Sequence, residues 1–196
     1  MDNLKSKGIS ALIWEFAGRI ATDGVGFVVT IILARLLEPS DFGLIAMVMV
    51  IIGIASVFTD IGLGSALIQR RKVLPVHYSS VFYFNIFVGL FLTLITYYSA
   101  APIAAFYNND DLVLITQVMS LSFIINALSS VQNTILRKEL NYAVLTKAKF
   151  IASFISSAVA VIMAFNGAGV WSLVAQTLIM GILYNILIWA TAVWVP

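Results

Sequence analysis

Glu15, Arg19 and Asp23 stand at i, i+4 and i+8 within a long apolar run, Ile9 to Leu33. Helical spacing of that kind stacks them on one face, and Thr22, Gly26 and Thr30 continue the stripe. A charge at the centre of a membrane helix costs about 2.5 to 3.5 kcal/mol, against about 0.3 to 0.6 kcal/mol gained per large aliphatic residue. Three charges facing lipid would offset most of the insertion energy, so the stripe must face protein or water. An arginine fork suits phosphate oxygens, which makes Arg19 a candidate for holding an anionic headgroup in a central cavity. Arg19 can also pair with one acid a turn away. The other acid, Glu15 or Asp23, is then a candidate for coupling to H+ or Na+. Counting residues from the start of the run places Arg19 near the membrane midplane.

A second polar face lies in the fourth apolar run, where Ser122, Asn126, Ser129, Ser130 and Asn133 follow the spacing i, i+4, i+7, i+8, i+11. Asn85 lies in the third run, Ser153, Ser156 and Ser157 in the fifth, and Gln176 and Asn185 in the sixth. Most such groups bond a neighbouring helix for about 0.6 kcal/mol. Asn126 and Asn85 join Arg19 as cavity candidates. Asp60, with Gly62 and Gly64, reads as a gate at the cytoplasmic mouth, with plain turn structure as the alternative. Gly62 and Gly64 suggest a hinge, and Gly24 and Gly26 suggest close helix packing.

Nothing here marks an enzyme. There is no cysteine, the single His77 makes no metal set, and no phosphate loop, dinucleotide fingerprint or nucleophile triad occurs. The expectation is no catalytic residue, no metal and no cofactor beyond the coupling ion.

The elements that must position these groups are membrane helices. Apolar residues make up 61% of the 196 and charged residues 10%, against about a quarter charged in soluble domains. Six spans are expected, at 9–33, 42–60, 78–100, 112–136, 148–165 and 170–189: an all-α, six-helix bundle forming a single membrane domain. The first run is too long and too charged for a cleavable signal. Nine of the eleven Lys and Arg fall on one side of this arrangement, and the positive-inside rule makes that side, with both termini, cytoplasmic. Trp14, Trp171, Trp189 and Trp194 come near span ends, as an interfacial belt or as packing. With every loop short, activity must come from the helices, and membrane lipid rather than nucleic acid is the expected surrounding partner.

Two stretches carry a family resemblance: Ile32 to Met47, containing Arg35, Glu38-Pro39-Ser40-Asp41 and Gly43, and Phe58 to Gln69. Phe106-Tyr107, Arg137 to Tyr142 and Gly167 to Gln176 extend it. The chain resembles bacterial polysaccharide transporters of the Wzx type, in the multidrug/oligosaccharidyl-lipid/polysaccharide flippase superfamily. The resemblance implies a flippase that moves a lipid-pyrophosphate-linked oligosaccharide across the inner membrane for O-antigen, capsule or exopolysaccharide assembly. It also implies two six-helix lobes around a cation-lined cavity, working by alternating access. Six spans ending at Pro196 look like the N-terminal lobe, whose partner is a second lobe or a second copy. Competing readings are a drug or lipid exporter of the same superfamily and a non-transporting accessory subunit or remnant. A glycan polymerase would need a larger outer loop.

Overall fold

The computed structural model describes residues 2–59, 63–70, 73–192 and 194–196, with side chains from Ile13 onward. These residues form seven helices: α1 Asp2–Leu36, α2 Pro39–Ser56, α3 Leu63–Gln69, α4 Pro75–Tyr107, α5 Asp111–Lys138, α6 Tyr142–Phe165 and α7 Trp171–Ala190. All but the seven-residue α3 are long and apolar enough to cross a bilayer, and no strand occurs among the described residues. The fold is therefore the all-α, six-span bundle expected.

Hydropathy marks only the part of a helix that suits lipid, and the helices run on past it. α1 has 35 residues and α4 has 33, each about 50 Å long against a hydrocarbon core of about 30 Å. The Glu38-Pro39-Ser40-Asp41 stretch, ahead of the span expected from 42, opens α2. Pro39 takes the first helical position, where its missing N–H costs nothing, and the Glu38 amide donates to Asp41 Oδ2 at 3.2 Å. His77 serves a similar end at the start of α4, where its Nδ1 accepts the Leu74 amide at 3.0 Å. The stretch expected to carry the second span to 60 leaves the α-helix after Ser56, and α3 follows. Asp60 and Gly62 lie outside the described residues.

α5 is the hub, packed against α2, α3, α4, α6 and α7. In its most apolar stretch 44% of residues are buried, against 6% for α2. Glycine lets its two main neighbours approach. A β-carbon on Gly89 of α4 would come within 2.9 Å of Ala127 Cβ, and one on Gly181 of α7 within 2.9 Å of Ile125 Cγ2. Interhelical hydrogen bonds form beside these contacts: Thr93 Oγ1 donates to Ser120 O at 3.1 Å and Asn185 Nδ2 to Ile125 O at 2.8 Å. Gln176 Nε2 reaches Ser157 Oγ at 3.2 Å across α6 and α7. The span-six amides thus do the ordinary cross-linking work of polar groups in a membrane.

α1 attaches chiefly to α6. Gly18 is buried against the Thr146 side chain, and Thr146 Oγ1 donates to Trp14 O at 3.1 Å. Further along, Val29, Leu33 and Leu37 pack with Ala160, Ala164 and Leu173. Gly24 and Gly26 correct the packing expectation, because a β-carbon on either would meet nothing within 4 Å. The close approach occurs about two turns earlier, at Gly18.

Antiparallel alternation puts the α5–α6 connection, α3 and the start of α4 at one end of the bundle, called here the basic end. The opposite end is closed by Val48 of α2 packed with Leu112, Ile115, Met119 and Val174. At the basic end Lys138 Nζ donates to Leu67 O at 2.8 Å and Arg70 O at 2.7 Å, tying the end of α3 to α5. Trp189 and Trp194 pack on Phe82 with centroids 5.8 and 6.0 Å apart, while Trp14 and Trp171 remain 38% exposed.

Candidate functional site: two adjoining polar chambers

The polar face of α5 opens into a cavity of 380 Å³, walled by α3 on one side and α4 on the other. Among the α5 positions that line it, Asn126, Ser129, Ser130, Asn133 and Arg137 recur at helical spacing, with Ala127 and Thr134 beside them. From Asn126 to Arg137 is about 16 Å at 1.5 Å per residue, so the cavity runs from the basic end to roughly the middle of α5. Asn85 faces it from α4 and donates its Nδ2 to Ser130 Oγ at 3.0 Å. Gly64 lines it from α3. A β-carbon there would lie 3.1 Å from Thr134 Oγ1, so this glycine permits α3 to sit close on α5.

A second cavity of 240 Å³ lies between α1 and α6 on the inner side. Glu15, Gly18, Arg19 and Thr22 line it from α1, and Tyr142, Thr146 and Lys149 from α6. Arg137 and Tyr184 line both cavities, so the two are neighbouring chambers of one cleft. Their division is marked by Tyr184 Oη donating to Asn133 Oδ1 at 2.6 Å.

The chambers differ in chemistry. The larger is lined by amides and hydroxyls, with Arg137 at its edge. The smaller gathers Arg19, Arg137 and Lys149 against one carboxylate, Glu15. Arg19, Arg137 and Lys149 are exposed, and none forms an ion pair within 4.0 Å among the described residues. The pairing allowed by the Glu15-Arg19-Asp23 spacing is therefore not made. Two guanidinium forks and one ammonium lining one space form an environment for a phosphate or carboxylate. No group of acids, histidines or cysteines suited to a metal occurs among the described residues.

The structure thus places Arg19 and Glu15 in the smaller chamber and Asn126, Asn85 and Gly64 in the larger. Asp23 is exposed on α1 and lines neither. Arg19 is not at mid-depth as counted from the sequence. It shares a cavity with Arg137, next to last in α5, and Tyr142, first in α6, so it lies near the basic end. The cause is the early start of α1, which carries helix beyond the ends of its neighbours. From the sequence, Arg137 and Lys149 read first as topology-setting residues of a basic cytoplasmic loop, and Tyr184 was missed. The signal for Arg137 was available: it continues the polar stripe four residues beyond Asn133. Tyr184 carried none, because an aromatic residue in an apolar span has no distinctive period.

Comparison with known proteins agrees with this architecture. The family described as "Polysaccharide biosynthesis protein" matches residues 32–196. A Klebsiella pneumoniae relative, "Uncharacterized membrane protein in cps region", is 30% identical over 74% of this chain and 30% of its own length. The Rhizobium meliloti succinoglycan biosynthesis transport protein ExoT is 29% identical over 83% of this chain and 33% of its own. The Escherichia coli lipopolysaccharide biosynthesis protein WzxC is 26% identical over 93% and 36%. This chain spans about a third of the length of the curated relatives it matches. No solved structure matches. The family match takes in the whole wall of the larger chamber and begins after Arg19; on that match the chain belongs to the polysaccharide biosynthesis protein family and is a multi-pass membrane protein.

Proposed function

We propose that the chain is one lobe of a transporter that passes a lipid-linked, phosphate-bearing oligosaccharide across a bacterial inner membrane for surface polysaccharide assembly. The observation that carries this reading is the cleft: a cationic chamber and a neutral polar chamber joined at Arg137 and Tyr184, inside a bundle whose outer surface is apolar. A substrate with a phosphate, sugars and a hydrophobic tail needs those three environments. The names of two relatives, a succinoglycan biosynthesis transport protein and a lipopolysaccharide biosynthesis protein, both concern glycans and favour this cargo over drugs. Transport rather than glycan chemistry fits a cleft that holds no acid pair and no metal set among the described residues.

The basic end is the cytoplasmic end in this reading, since Lys and Arg gather there, and the N-terminus is cytoplasmic with it. The larger chamber reaches Arg137 near that end, while Val48, Leu112, Ile115, Met119 and Val174 pack together toward the other, and the proposed transporter would load its substrate from the basic end. Alternating access then requires a second lobe or a second copy across the cleft. Glu15 beside Arg19 is the proposed site of H+ or Na+ coupling. Gly64, on the wall of the larger chamber, is the proposed gate position; Asp60 and Gly62 lie outside the described residues.

Photo-crosslinking in membranes of the encoding host tests the reading without depending on the partner lobe. A benzophenone side chain at Asn126 is expected to capture glycan-bearing lipid, and one at the outward Phe154 only bulk phospholipid. Recovery of the same unglycosylated lipids at both positions would contradict it.

A further inference from the structure

The two chambers divide the recognition of one ligand. We infer that the neutral chamber at Asn85 and Asn126 is a saccharide subsite, distinct from a phosphate subsite at Arg19, Arg137 and Lys149; this rests on the transport reading above.

The geometry supplies the division. Sugar hydroxyls both donate and accept, and so do the amide and hydroxyl side chains that line the larger chamber. Two pairs are tied to one another, Asn85 Nδ2 to Ser130 Oγ and Tyr184 Oη to Asn133 Oδ1, and Thr134 Oγ1 donates to its own helix at the Ser130 backbone carbonyl at 3.0 Å. Such ties fix the outward ends. Asn85 is left with its carbonyl oxygen, Asn133 with its amide nitrogen, and Asn126 with its whole side-chain amide, each on the cavity wall. Acceptor and donor are therefore both presented by fixed side chains, while Leu63, Ile68 and Ala127 supply apolar surface for C–H faces. A volume of 380 Å³ falls in the range of about 300 to 1,000 Å³ typical of small-ligand sites. The smaller chamber has the opposite character, since three cations against one acid favour an anion whatever is attached to it. The shared wall at Arg137 and Tyr184 lets a ligand occupy both.

The test uses the full chain purified in detergent and two probes, farnesyl diphosphate and farnesyl diphosphate carrying a hexose on the terminal phosphate. Asn126 suits substitution because it is exposed and its side chain bonds no other residue, so Asn126→Ala should fold normally. Asn126→Ala is expected to weaken the glycosylated probe about threefold to tenfold, the loss of one or two neutral hydrogen bonds, and to leave the bare diphosphate unchanged. Arg19→Ala is expected to weaken both probes by a similar factor, about tenfold or more. Equal effects of Asn126→Ala on the two probes, or no effect on either, would overturn the subsite assignment while leaving the transport reading standing. Failure of the wild-type chain to bind either probe would overturn both.

Discussion

Tyr184 of α7 donates its hydroxyl to Asn133 Oδ1 of α5 at 2.6 Å, and this bond stands where the neutral and cationic chambers meet. It fixes the asparagine so that its nitrogen is the free end and holds α7 to α5 on the cleft side. Tyr184→Phe keeps the ring and leaves Asn133 Oδ1 without its donor. The expected loss is about 0.5 to 1.5 kcal/mol of stability, read as a lowered melting temperature in detergent, with the helical spectrum unchanged.

Water should reach Asn126, since the cleft is polar and open at the basic end. The chain has no cysteine, so single cysteines report without interference. Asn126→Cys is expected to react with a membrane-impermeant maleimide, and Phe154→Cys, on the apolar outer side of α6, to resist it. Equal labelling, measured by mass shift after timed quenching, would show that the polar stripe does not line a hydrated cleft.

Much of this was legible in the residues. The α5 stripe and the Glu15-Arg19 face follow from helical spacing alone, and six apolar runs set the number of spans. Arg137 stands four residues beyond Asn133 on the same stripe, but a basic residue just after an apolar run reads first as a loop charge; the continuation of α5 to Lys138 is what carries it into the cleft. α3 was hidden by its length, since seven residues show no reliable period. The depth of Arg19 was misjudged because hydropathy dates the start of the lipid-facing stretch, not of the helix.

The α1–α6 seam offers a sharp contrast between glycines. Gly18→Val must push Thr146 aside and break its bond to Trp14 O, which is expected to cost about 1 to 3 kcal/mol. Gly24→Ala meets open space and should be neutral or stabilising by up to about 1 kcal/mol, because alanine loses less backbone entropy in a helix. Thermal unfolding of both variants, side by side in the same detergent, distinguishes them.

Lys138 holds α3 in place through two backbone carbonyls, at 2.8 and 2.7 Å. Lys138→Met keeps much of the apolar stem but frees those carbonyls, and hydrogen bonds from a charged donor contribute about 1.5 to 3 kcal/mol. Faster hydrogen exchange confined to residues 63–70 is the expected result. Unchanged exchange there would mean that α3 is held by packing of Leu67 and Gly64 alone.

In the proposed transporter, the cations of the cleft hold the phosphate of a glycan-bearing lipid. Its most direct test replaces the gene in its own host, where any partner lobe is present, with the double variant Arg19→Ala, Arg137→Ala, and measures surface polysaccharide together with the amount of chain in the membrane. The expected result is surface polysaccharide reduced at least tenfold, lipid-linked precursor accumulating inside, and the chain present at wild-type level. Wild-type polysaccharide output from the double variant would contradict the account.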